Sequence, residues 1–297
     1  MTNLCGLGTA LITPFTPAGE VDYIALERLL DKQIEGGVDY IVVLGTTGEA
    51  VTLSELERRE VRRFIKDYVG GRLPLVLGLG GNCTAAVCET LQHEDLSGFC
   101  AILSVCPYYN KPSQEGLFQH FTAIAKASPL PVILYNVPGR TGVNLQPETV
   151  MRIYDAAPEM IVGVKEASGN LEQIKHLIAL SQDTNLLVIS GDDGLTADIM
   201  AAGGAGLISV LSNALPEQTG RLVRTADKEL QAQLNPLICL LFKEGNPAGI
   251  KTLLHEMELI DNVLRLPLVP NSQPVQEEIH HCLCHLPIYT STHNTPS

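Results

Sequence analysis

No run of five or more Lys or Arg occurs anywhere in this chain. Its 297 residues carry 20 Lys and Arg against 33 Asp and Glu, a formal net charge of -13. It therefore offers no phosphate-tracking surface to DNA or RNA and no adhesive face to anionic membranes. A few cations in a cleft could still hold an anionic substrate, because distant charge is screened over about 10 Å. No apolar run approaches the ~18 to 20 residues of a membrane-spanning helix. The first residues lack the basic and apolar segments of a secretory signal, so a cytosolic protein is expected. The eight cysteines, at 5, 83, 88, 100, 106, 239, 282 and 284, lack the dense, regular spacing of a disulfide framework and read as reduced, mostly small core residues. Disorder is expected only over about the last dozen residues, which include "IYTSTHNTPS".

The segment "HHCLCH" gathers His280, His281, Cys282, Cys284 and His285. Zinc sites draw their ligands from two separated pairs, and no second pair follows here. The segment reads as the end of a C-terminal helix, and no metal is expected.

What the chain does have is alternation. Eight apolar runs of strand length recur: 8–15, 40–48, 73–81, 101–109, 131–139, 161–169, 186–194 and 206–213. Most are near-continuously apolar, as strands covered on both faces are. Between them lie amphipathic segments such as "SELERREVRRFIKDYVGG", which opens with Ser54 and Glu57 in capping-box spacing and closes on glycine. An eight-fold βα repeat of about thirty residues per unit is what a (β/α)₈ TIM barrel requires. A doubly wound open sheet would want G-x-G-x-x-G after its first strand, and "ITPFTPAGE" has none. The expected organisation is an α/β barrel over residues 1–224 and a helical C-terminal extension over 225–297. No Gly/Ser linker precedes the extension.

Active sites of such barrels form at the C-terminal ends of the strands. The residues there are rich in hydroxyls and glycine and poor in histidine, which weakens readings based on a metal or a Ser-His-Asp triad. Lys165, in "IVGVKEASGN", stands out because an unpaired buried ammonium costs several kcal/mol, comparable to the net stability of a small domain. Among apolar walls its charged form is penalised, and the free amine can attack a carbonyl to form a Schiff base. The alternatives are a lysine that reaches solvent or one that pairs with Glu166, although neighbours on a strand point to opposite faces. Tyr135, on the preceding strand, is either a proton relay at a forming imine or a core tyrosine. Arg140, in the turn "VPGRTG", suits a bidentate grip on a carboxylate and would look the same as a surface arginine. "GTTGE", residues 45–49, could hold a carboxylate on its backbone N–H groups. "AGGAG", residues 202–206, serves either a phosphate site or tight turns.

Taken in order, "GTTGE" (45–49), "PYYNKP" (107–112), "YNVPGRTG" (135–142), "GVKEASGN" (163–170) and "SGDD" (190–193) resemble the dihydrodipicolinate synthase family of pyruvate-dependent Schiff-base lyases. The resemblance runs from about residue 6 to 270 and ends with "NPAGIK" and "LRLPLVP". It implies that Lys165 forms an imine with pyruvate and that Thr47, Tyr135 and Tyr109 form a proton relay. In that family the tyrosine at the Tyr109 position reaches into a neighbouring subunit's site. The resemblance further implies that Arg140 binds the carboxylate of L-aspartate 4-semialdehyde and that Thr46, Gly191 and Ile208 shape the pyruvate pocket. No metal or organic cofactor is implied, and the expected assembly is a homotetramer of tight dimers.

Family members inhibited by lysine commonly carry a Ser after "GTTGE", His residues in the next helix, an Asn with a Glu four residues on, and the first Tyr of "PYYN". Here Asn82 and Tyr108 remain, but Ala50, Glu55, Arg58 and Ala86 stand at the other positions. Weak or absent lysine feedback is expected. The rival readings are an N-acetylneuraminate lyase or 2-keto-3-deoxy sugar acid aldolase, which resemble this chain less at "VPGRTG", and a catalytically silent barrel, which the intact Lys165, Tyr135, Tyr109 and Thr47 disfavour.

Overall fold

The computed structural model describes residues 4–286, so the C-terminal tail lies outside the described residues. Strands β1 (Gly6–Ala10), β2 (Tyr40–Val43), β3 (Leu75–Gly78), β4 (Ala101–Val105), β5 (Val132–Asn136), β6 (Ile161–Glu166), β7 (Leu187–Ser190) and β8 (Gly206–Ser209) follow the eight apolar runs. Each pairs with the next, β8 pairs with β1, and the result is a closed parallel barrel with helices around it, a (β/α)₈ fold.

The runs are apolar on both faces because both faces are covered. Val42, Val76, Leu103, Ile133, Ile189 and Ile208 fill the barrel interior. Ile41, Val43, Ile102, Leu134, Val164 and Val188 pack outward beneath the helices. Each strand is shorter than its run, since the glycines and polar residues that close the run form the following loop. The first run departs most: β1 spans 6–10, not 8–15, and the run beyond it is a loop that carries Pro14, which cannot donate to a ladder.

Helix Glu55–Val69 has the expected capping box. The Glu57 N–H donates to Ser54 Oγ at 3.3 Å, the Ser54 N–H donates to Glu57 Oε2 at 2.8 Å, and Gly70 ends the helix at φ 56. Helices Lys228–Phe242, Ala248–Glu256 and Gln273–Cys284 follow the barrel. The last contains His280 to Cys284 and ends at the His285 cap. Among the described residues no group of three side chains is arranged to hold a metal ion, and no helix is long and apolar enough to cross a membrane.

A buried charge network ties this C-terminal part to the loop after β2. Glu49, in the left-handed region at φ 52, forms an ion pair with Lys251, and both side chains are fully buried. Lys251 Nζ also donates to Val263 O at 3.0 Å and lies 4.1 Å from the Phe15 ring centroid. Burial pulls the Lys251 amine down to about 8 against the opposing pull of Glu49. Beside it, the Arg265 N–H donates to Glu49 Oε2 at 3.2 Å, and its guanidinium grips Glu57 at 2.5 Å and Gly19 O at 2.8 Å. Arg265 holds the Glu57 carboxyl down at about 2. A non-glycine residue at positive φ costs about 1 kcal/mol or more, and here the grip on its carboxylate holds it.

Lys251→Met, which leaves the Glu49 carboxylate buried without its counter-charge, is expected to cost about 3–5 kcal/mol in urea unfolding. The double replacement Lys251→Met with Glu49→Leu should recover most of that loss. A single-variant loss below about 1 kcal/mol would count against this role for the pair.

Candidate active site

Lys165 is the fifth residue of β6, in register with Tyr135 on β5 and Ile189 on β7. Only 5% of it is exposed, and its Nζ lies 4.5 Å from the Tyr135 ring centroid. The alternative pairing with Glu166 does not occur. Successive strand residues face opposite ways, and the Glu166 carboxylate is occupied on the outer side. It accepts from Asn136 Nδ2 at 3.0 and 3.2 Å, the Ser168 N–H at 2.8 Å and Gln173 Nε2 at 3.3 Å. Burial still raises the Glu166 carboxyl above its ordinary range. Lys165 thus has an aromatic ring against it, and among the described residues no carboxylate lies within ion-pair distance of it.

Gly191, at the end of β7, makes room for that lysine. A Cβ there would stand 2.7 Å from the Ala167 Cβ and 2.9 Å from Lys165 Cε, closer than carbon atoms approach. Ile208, 1% exposed on β8, belongs to the same inner apolar layer as Tyr135. Above them a cavity of about 310 Å³ is lined by Gly45, Thr46, Tyr108, Tyr135, Val137 and Arg140, among others. Lys165 is not on its wall but lies against Tyr135.

Thr46 and Thr47 sit in one turn of 3₁₀ helix, Thr46–Gly48, which Thr13 Oγ1 secures by donating to Gly48 O at 2.7 Å. Thr46 is half-buried and Thr47 buried. Arg140 lies in a single helical turn, Pro138–Thr141, where a non-helical turn is expected; Pro138 at its start and Gly142 at φ 73 after it set both ends. Arg140 is exposed at the cavity rim and its Nη2 donates to Asn246 O at 2.9 Å. Asn246 Nδ2 in turn donates to Thr47 Oγ1 at 2.9 Å.

Asn246 is the residue that reading the strand ends misses. It belongs to the segment after helix Lys228–Phe242, far in the chain from any strand end, and the only sequence signal for it is its place in "NPAGIK". Tyr109 does not line this cavity either. It is 90% exposed at φ 74, beside Tyr108, whose carbonyl accepts from Asn82 Nδ2 at 3.1 Å. "AGGAG" lies at the N-terminal end of β8, the face opposite the cavity. A Cβ on Gly206 would stand 2.1 Å from Gly6 O, so close strand packing explains this glycine and the phosphate reading falls.

Ala50, Glu55, Arg58, Asn82, Ala86 and Tyr108 all line a neighbouring cavity of about 320 Å³. Its carboxylates are engaged by arginines: Glu55 meets Arg58 at 2.5 Å, and Glu94 meets Arg59 and Arg62 at 2.5 and 2.6 Å. Arg58 also donates to Ala50 O and Leu53 O.

A small displacement of a reacting group costs about 100-fold in rate. Gly191→Ala, which pushes the Lys165 side chain aside, is therefore expected to slow borohydride-trappable condensation of this amine with pyruvate about 100-fold. The unfolding midpoint should move little. Trapping at the wild-type rate would contradict this close packing.

The sequence profile of the dihydrodipicolinate synthetase family matches residues 3–286. The 4-hydroxy-tetrahydrodipicolinate synthase of Parabacteroides distasonis is 48% identical over 96% of this chain and 98% of its own. A solved monomeric dihydrodipicolinate synthase variant superimposes with a TM-score of 0.91 at 41% identity, covering 95% of this chain and 97% of that one. The enzyme of Cyanidioschyzon merolae, solved with lysine bound, gives 0.88 at 35% identity, covering 96% and 98%. With a profile match spanning nearly the whole chain and relatives of this identity, the chain belongs to the dihydrodipicolinate synthetase family.

Proposed function

We infer that this chain is an enzyme that condenses pyruvate with L-aspartate 4-semialdehyde through a lysine Schiff base, the reaction of a 4-hydroxy-tetrahydrodipicolinate synthase and the first committed step of lysine and diaminopimelate biosynthesis. The observation that carries this reading is the Lys165 amine, buried at the ring face of Tyr135 with no carboxylate at ion-pair distance among the described residues.

The neutral amine attacks the pyruvate ketone, and loss of water leaves a protonated imine whose nitrogen is an electron sink. The imine acidifies the pyruvate methyl group, and a proton leaves it through Tyr135 and Thr47 to give an enamine. The enamine carbon forms a C–C bond to the semialdehyde carbon, whose oxygen takes up a proton. The substrate's own amine then displaces Lys165 and closes the ring, so the lysine is regenerated. The steps transfer protons, exchange C–O and C–N bonds and form one C–C bond with no net oxidation or reduction, which calls for no redox group or metal.

Arg140 at the cavity rim supplies the cation for the carboxylate of the aldehyde, and Thr46, Gly191 and Ile208 bound the space for pyruvate. Tyr109, directed away from its own cavity, completes the relay of a second copy, so the active form is at least a dimer and in our reading a homotetramer of tight dimers. Lysine feedback is weak, because each carboxylate lining the neighbouring cavity is already neutralised by arginine and a lysine α-amine finds no free counter-charge.

Purified protein given pyruvate should consume it with L-aspartate 4-semialdehyde at least about 100-fold faster than with N-acetylmannosamine, a margin that polar recognition of an acid group can supply. Lysine titrated into the same assay should leave the rate nearly unchanged at sub-millimolar concentration. Preference for N-acetylmannosamine would overturn the substrate assignment, and strong inhibition would overturn the reading of the neighbouring cavity.

A further inference from the structure

A threonine hydroxyl carries one proton and accepts through two lone pairs. For Thr47 to pass a proton toward Tyr135 and a reacting group, something must keep that single O–H from being spent on the protein. Its neighbour is Asn246, whose Nδ2 lies 2.9 Å from Thr47 Oγ1 as a donor. Asn246 is 6% exposed, and its main-chain carbonyl accepts from Arg140 Nη2 at 2.9 Å.

The other end of the amide is unusual. Asn246 Oδ1 is buried without a hydrogen-bond partner, a state that costs about 1–3 kcal/mol. One atom is left open here while the other is directed at the hydroxyl of the relay.

The position of Asn246 is fixed twice over. It is joined to Thr47 by its side chain, and Lys251, five residues on, is joined to Glu49, two residues from Thr47, by the buried ion pair. The two links run side by side between the same two segments, so the amide cannot drift from the hydroxyl without breaking a buried charge pair.

We propose that Asn246 is a positioning residue that sets the direction of the proton relay: its amide donates to Thr47 Oγ1, which leaves the Thr47 O–H free to donate toward Tyr135 and the substrate. An amide turned by half a rotation would instead take the Thr47 proton and block the relay. This inference rests on the Schiff-base reading above.

Asn246→Asp keeps the shape and removes the donor, so that Thr47 must donate to the new carboxylate. In this variant, pyruvate should still be trapped on the protein by borohydride to the wild-type extent at equilibrium. Exchange of the pyruvate methyl protons with deuterium, and kcat for condensation, should both fall about 100-fold, the lower range for loss of one acid–base path. KM for the aldehyde should stay near wild type because Arg140 is held by the main chain, whereas a general loosening of the site would raise it.

Asn246→Ala, which buries no charge but leaves the Thr47 hydroxyl without the donor that orients it, should also slow exchange. In a Thr47→Val background neither Asn246 variant should slow exchange further. Wild-type exchange in both Asn246 variants, or an effect of full size in the Thr47→Val background, would overturn the proposal. Absence of any pyruvate adduct on the wild-type protein would overturn the Schiff-base reading instead, so the two failures are distinguishable.

Discussion

An amine enclosed without a counter-charge is expensive, and the arrangement around Lys165 is organised to keep it so. Desolvating a cation costs several kcal/mol, and nearby carboxylates are the usual remedy. Here the nearest one in sequence, Glu166, is turned to the other side of β6 and occupied by Asn136, Ser168 and Gln173. The strand pleat that separates neighbours by one face is what denies Lys165 its partner. Against Lys165 stand the Tyr135 ring and the bare backbone of Gly191, within an inner layer of mostly apolar side chains. The folding energy for this comes from the two apolar layers that flank the barrel wall, and a closed barrel spreads that cost over eight strands.

The same chain contains a second buried lysine with the opposite solution. Lys251 is more enclosed than Lys165, yet it has Glu49 as counter-charge, a carbonyl acceptor and the Phe15 ring. One lysine is neutralised by its surroundings and ties the C-terminal helices to the loop of Thr47, and the other is left chemically open at the strand ends. Burial alone does not distinguish a reactive amine from a structural one. The presence or absence of a carboxylate at ion-pair distance does.

Much of this was legible in the chain. Eight apolar runs predicted eight strands because parallel strands are covered on both faces, and Ser54 with Glu57 predicted a helix start that the backbone repeats. Lys165 and Tyr135 could be picked out as neighbours on adjacent strand ends, because their register follows from barrel order. What could not be read were contacts between distant segments. Asn246 meets Thr47 across 199 positions and Arg265 meets Glu49 across 216. No periodicity links such pairs, so only the fold reveals that the C-terminal part meets the loop of Thr47. The end of β1 is not legible in the sequence because apolar residues continue past Ala10 into a loop that is buried all the same.

We take the open lysine, and not the neutralised one, to be the nucleophile. Reduction of the protein with borohydride in the presence of pyruvate, followed by mass mapping of its peptides, tests it most directly. One reduced pyruvyl group is expected, on Lys165 in the peptide that contains residues 161–170. Label on Lys251 or on any other lysine, or no label at all, would contradict it.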